Sequence, residues 1–146
     1  MLVVSNSVLA EDANIIVTNI STDTVLMQTG RLNTISLHQV EQQRFVIDPV
    51  ATVAPNNLIN IQQQGDLNLL DLLLDGSRAS IDIMQTGINN QITDKTGAAM
   101  SLIGDSISLS ILQVGNNNVV TGSMLGPNVV NITQLGDNNI ATVFQR

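Results

Sequence analysis

The sequence predicts an all-β chain of stacked short strands. Three features carry that expectation: a five-fold Gln-x-Gly-x-x-Asn motif, period-two alternation around every copy, and very few aromatic residues. The motif occurs as Gln28-Gly30-Asn33, Gln63-Gly65-Asn68, Gln85-Gly87-Asn90, Gln113-Gly115-Asn118 and Gln134-Gly136-Asn139. Successive glutamines lie 35, 22, 28 and 21 residues apart, so the period is close to 22, with inserts after the first and third copies. Self-similarity at this period marks a solenoid or an array.

The strand before each motif comes first. Positions four and two residues ahead of each Gln are Thr24/Leu26, Ile59/Ile61, Ile81/Ile83, Leu109/Ile111 and Val130/Ile132. Intervening positions such as Asp23, Asn60, Asp82, Ser108, Ser110 and Asn131 are polar. Alternation of this kind reads as a strand with one buried face. After each Asn the pattern resumes, with Ile35/Leu37, Leu70/Leu72, Ile92/Asp94, Val120/Gly122 and Ala141/Val143 at inward parity.

Between the strands, a four-residue segment with a central glycine has the length and chemistry of a tight arc. Strand, arc, strand is therefore one rung. A lone two-stranded unit is marginal in water, but stacked rungs seal a continuous core at the usual spacing of about 4.8 Å. Stacking also accounts for the amides, because a carboxamide both donates and accepts and can satisfy itself one layer at a time in a dry interior.

Upstream, Asn14 followed by Ile16, Thr18 and Ile20 reads as the second half of a rung without its first half. The expectation is a cross-β solenoid of about five and a half rungs. Interruptions fall at Val40–Pro55, which contains Pro49 and Pro55, and at Gly97–Asp105. Proline cannot donate to a ladder, so the first insert leaves the stack. Residues 1–10 read as a signal-peptide remnant or disordered N-terminus, with Val8 and Ala10 in cleavage-site spacing. Residues 11–146 form one repeat domain with an insert near 40–55.

Composition narrows the function classes. Hydrophobic residues make up 43% of the 146, yet there are two Phe and no Tyr or Trp, so the core is aliphatic and suits thin, equal layers. A net charge of −7 with five scattered Lys and Arg argues against nucleic acid and anionic membrane surfaces. No apolar run approaches the roughly 20 residues of a membrane span. Zero cysteines exclude disulfides and thiolate metal sites. His38, the one histidine, stands at outward parity without companions, so neither a metal site nor a general base is expected. No catalytic residue and no cofactor site emerges. Outward apolar residues Val119, Val129, Ile140 and Phe144 read as a patch at the C-terminal end.

The composite unit, with inward aliphatics on each side of Gln-x-Gly-x-x-Asn and a closing Gln at Gln39 and Gln145, resembles the curlin repeat of bacterial curli subunits. The resemblance covers about residues 14–146. The middle copies depart from it, with Leu74, Thr96 and Met124 at the closing position. Membership would imply a secreted functional amyloid of the biofilm matrix, at the bacterial cell surface. The partners implied are the chain itself in a head-to-tail homopolymer, another curlin subunit and a secretion pore.

Self-assembly is the leading expectation, because an uncapped stack leaves open strand edges. Those edges are expected at Asn14, Ile16 and Ile20 on one side and Ala141 and Val143 on the other. The competing expectation is a monomeric β-solenoid adhesin or binding module with capped ends.

Overall fold

The computed structural model describes residues 5–8, 14–18, 23–29, 34–40, 57–76 and 78–146. Among them are thirteen strands and no helix. One sheet holds β1 (Ser5–Val8), β3 (Asp23–Thr29), β5 (Leu58–Gln64), β7 (Ser80–Thr86), β10 (Ser108–Val114) and β12 (Val129–Leu135). The other holds β2 (Asn14–Thr18), β4 (Thr34–Val40), β6 (Leu69–Asp75), β8 (Gln91–Thr93), β9 (Met100–Ile103), β11 (Val119–Leu125) and β13 (Ile140–Gln145). Every pairing is parallel, and apart from β8 and β9, which follow one another in the second sheet, the chain alternates between the sheets, so each layer takes one strand position from each.

The alternation sets the packing. Ile59, Ile81, Leu109 and Val130 are register partners in one row, and all are buried. Leu70, Ile92 and Val120 form the corresponding buried row of the other sheet. Both rows belong to one core, so the two sheets bury their inner faces against each other. A one-residue slip would turn every aliphatic side chain outward, which is why the register holds through all layers. Phe144 lies outside this core at 55% exposure.

The upstream unit differs from expectation in two ways. Ser5–Val8 forms β1 and pairs with β3, supplying a first half, so the described strands make six layers rather than five and a half. Four residues without the Gln-Gly motif are too short for alternation to identify. In addition, Asn14 is the partner of Thr34, not of Asn33, so Ile15 aligns with the buried Ile35 and Val17 with Leu37. Ile16 aligns with the outward Ser36. The consecutive apolar run Ile15-Ile16-Val17 fits either parity, and register with β4 decides it. Ile20, Gly30, Asn33 and the insert that follows Val40 lie outside the described residues.

The interruption expected at Gly97–Asp105 occupies residues 94–99 instead. β8 and β9 are two halves of one strand, both paired with β6 and β11. Asp94 opens the excursion: its Oδ1 accepts from Thr96 N at 2.6 Å, Thr96 Oγ1 at 2.7 Å and Ala98 N at 2.9 Å. Such an Asx turn bends the chain out of the ladder. Met100 therefore takes the inward place expected of Asp94, and buried Leu102 takes the closing place expected of Thr96.

Candidate functional site

The amide columns begin with the arcs that hold them. Gly87 has φ +124°, and a Cβ there would collide with the carbonyl of Gly115 in the next layer. The absence of a side chain lets successive arcs stack. Two residues further on, the backbone is left-handed at Leu67, Asn89, Asn117 and Asn138, with φ of 60°, 59°, 57° and 62°. Asparagine tolerates that conformation better than leucine.

In this setting the glutamines form one continuous ladder. Gln63 Nε2 donates to Gln85 Oε1 at 2.7 Å, Gln85 to Gln113 at 2.8 Å, and Gln113 to Gln134 at 2.8 Å. Each amide also reaches across the core to the preceding layer. Gln63 donates to Thr34 O at 3.2 Å, Gln85 to Leu69 O at 3.3 Å, Gln113 to Gln91 O at 3.4 Å and Gln134 to Val119 O at 3.1 Å. The four side chains are at most 6% exposed, so these are dry, bonded amides linking both sheets.

The asparagine column runs antiparallel to it. Asn90 donates through N and Nδ2 to Asn68 Oδ1, both at 3.1 Å, and Asn139 does the same to Asn118 Oδ1, both at 3.0 Å. Asn118 N donates to Asn90 Oδ1 at 3.1 Å, whereas its buried Nδ2 has no partner. Asn68 and Asn90 also secure the neighbouring arcs through Gly87 O at 3.0 Å and Gly115 O at 2.9 Å. Between side chains, each glutamine thus donates to the glutamine of the following layer, whereas Asn90 and Asn139 donate to the asparagine of the preceding one.

The remaining expected residues fall as follows. Gln28 is the register partner of Gln63, and Gln39 that of Leu74. Gly65, Gly115 and Gly136 occupy the same arc as Gly87, each with positive φ. Gln145 closes β13 beside Met124, and its Oε1 is buried without a hydrogen-bond partner. Ala141 and Val143 pack against the core. β1, β2, β12 and β13 are the sheet edges, so the N-terminal edge comprises β1 as well as the strand holding Asn14 and Ile16.

Two features escaped the sequence reading. The return arcs carry a second glycine stack, in which a Cβ on Gly76 would strike the Gly104 carbonyl. Gly76, Gly104 and Gly126 repeat at spacings of 28 and 22, close to those of the glutamines, and that was the available signal. The bonding of Asn57, the opening polar residue of its repeat, is the second: at 2% exposure its Oδ1 accepts from Ala79 N at 2.8 Å and its Nδ2 donates to Gly76 O at 3.2 Å.

The outward apolar residues do not form one patch. Val129 stands on the six-stranded sheet, whereas Val119, Ile140 and Phe144 stand on the other. Their proximity in sequence reflects the return from one sheet to the other. Lys95, carried by the excursion, places its Nζ 5.9 Å from the Phe144 ring centroid. The only resolved shift among the described carboxyls is at Asp94. The Thr96 hydroxyl foremost holds it below the usual value; desolvation opposes this, and bonds from the Thr96, Ala98 and Gly97 backbone add to the lowering. Among the described residues, no three His, Cys, Asp or Glu side chains gather where they could hold a metal ion.

No protein-family model, curated protein or solved structure matches this chain.

Proposed function

We propose that this chain is a structural subunit of an extracellular, curli-like amyloid fibre of a biofilm matrix. In this reading the parallel layers are rungs of a β-solenoid, and fibres grow by cross-β stacking of one copy on the next. The observation that carries the proposal is the continuous buried amide ladder, in which Gln63, Gln85 and Gln113 each donate to the glutamine of the following layer and Gln134 stands on the edge strand β12. An edge strand with a dry amide column behind it is a template for an identical layer. Membership of the curlin family belongs to the same proposal and rests on the repeated Gln-x-Gly-x-x-Asn units. The secreted location and the secretion-pore partner are expectations of that membership.

A monomeric solenoid adhesin is the second reading. It is favoured by the shortness of the N-terminal layer, where β1 and β2 have four and five residues against seven in β5. Short edge strands restrain edge-to-edge pairing. Electron microscopy of the purified chain after incubation separates the two. Unbranched fibres are expected, and a solution of monomers that stays monomeric would favour the adhesin.

A further inference from the structure

The outer faces of the two sheets are unlike. On the seven-stranded sheet, residues 94–99 leave the ladder between β8 and β9, and Lys95 of that excursion reaches the outward Phe144 on β13. Asp71 and Asp75 stand on the same outer face, alternating along β6 with the buried Leu70, Leu72 and Leu74. That face is ridged and charged. The six-stranded sheet is different from β5 to β12, because β5, β7, β10 and β12 each run seven residues without interruption and stay in one register.

This flat face is also nearly free of charge. Among the outward side chains of those four strands Asp82 is the sole ionisable group, and Asn60 Nδ2 donates to it at 2.9 Å. Toward the Gln-Gly arcs, Met84 is the register partner of Leu112, and Val114 that of Leu135. Leu112 and Val114 are alternate residues of one strand, so the two pairs join into a single apolar patch. Met84, Val114 and Leu135 are exposed. A contiguous exposed patch of this kind marks a contact surface, and its rows run along the stacking direction.

Charge selects the occupant. A basic partner would be drawn to the carboxylates of the other sheet, whereas a second copy, with the same net charge of −7, meets least repulsion where carboxylates are fewest. Area then sets the strength of the contact. Four strands of seven residues cover roughly 440 Å² at about 3.3 Å per residue and about 4.8 Å per strand, below the roughly 800 Å² per partner of a stable complex. One pair of chains is too small to hold, but stacked copies present the face repeatedly and hold by avidity.

We infer that the outer face of the six-stranded sheet is a lateral contact between stacks, packed against the same face of a second copy of this chain. The inference rests on the self-assembly reading and deepens it, since pairing follows stacking and joins two stacks into one fibre. Cryo-electron microscopy cross-sections of fibres of the full chain should show two stacks whose six-stranded sheets face each other about 10 Å apart. Single stacks, or stacks joined through the seven-stranded sheet, would overturn the inference while leaving self-assembly intact. A pair of variants tests the patch itself. Val114→Glu places a carboxylate within it, and Leu125→Glu makes the same charge change at an exposed position of the other sheet. Fibres of Val114→Glu should lose the pairing and half their mass per unit length, while those of Leu125→Glu stay paired. Paired fibres of Val114→Glu, or equal loss of pairing in both variants, would overturn the inference. Failure of the parental chain to form any fibre would overturn the self-assembly reading, and the lateral contact with it.

Discussion

Gln85 Nε2 lies 2.8 Å from Gln113 Oε1, 28 residues later in the chain, although Gln63 and Gln85 are separated by only 22. The longer interval is absorbed by residues 94–99, and the amide contact is the same on both sides of it. The ladder, rather than uniform repeat length, is what the layers share.

Removing one amide therefore disturbs three layers. Gln113→Ala deletes the acceptor of Gln85, the donor to Gln134 and the bond to Gln91 O, and opens a cavity between the sheets. Chemical denaturation should show a loss of about 3 kcal/mol, combining unsatisfied buried amides with lost packing.

Leu67 offers the opposite case. It is 47% exposed and left-handed at φ 60°, a conformation that costs a branched residue about 1 kcal/mol. Leu67→Asn should relieve that strain and extend the outer bond by which Asn89 Nδ2 reaches Asn117 Oδ1 at 2.9 Å. The denaturation midpoint should rise by the equivalent of about 1 kcal/mol.

Glycine substitution separates conformational strain from stacking. Gly87 and Gly97 both have positive φ, but a Cβ on Gly97 meets nothing within 4 Å, whereas one on Gly87 meets the Gly115 carbonyl. Gly97→Ala should cost about 1 kcal/mol and Gly87→Ala clearly more. Equal losses in thermal unfolding would show that close arc stacking contributes nothing.

The edges can be tested with proline. Val119 N donates to Asn139 O, so by the alternation of a parallel ladder Ala141 also faces β11, while Ile140, Thr142 and Phe144 turn their N–H groups to the open edge. Ala141→Pro would break an internal bond and destabilise the last layer. Thr142→Pro removes an edge donor instead, and proline is tolerated on such an edge. It should leave a folded monomer by circular dichroism that no longer elongates fibres in a seeded dye-fluorescence assay.

Charge restrains association at neutral pH. Twelve Asp and Glu against five Lys and Arg give a net charge of −7. Lag times should shorten as pH falls toward the ordinary carboxylate range of about 4, and added salt should act in the same direction. Asp94 follows a different course. Its lowered pKa means that ionised Asp94 favours the folded excursion above the unfolded value, and that contribution disappears only as pH falls through the lower folded value.

Parity and motif made much of the stack legible. Ile59, Ile61, Ile81 and Ile83 stand in fixed relation to Gln63 and Gln85, and a pleated strand leaves such residues only one face to share. The excursion was harder to place because Ile92-Thr93-Asp94 continues the alternation by one residue beyond the point where the Asp94 turn leaves the ladder. β1 was invisible for a different reason: its pairing with β3 depends on contacts at long range, which four residues cannot announce. The return arcs were overlooked because Gly76, Gly104 and Gly126 have no accompanying amide pair at constant spacing.

X-ray diffraction from aligned fibres of the full chain tests the central claim most directly. Parallel layers stacked along the growth axis should give a meridional reflection at about 4.8 Å and an equatorial one near 10 Å. Fibres without the 4.8 Å meridional reflection, or a chain that forms none under conditions that neutralise its charge, would contradict the account.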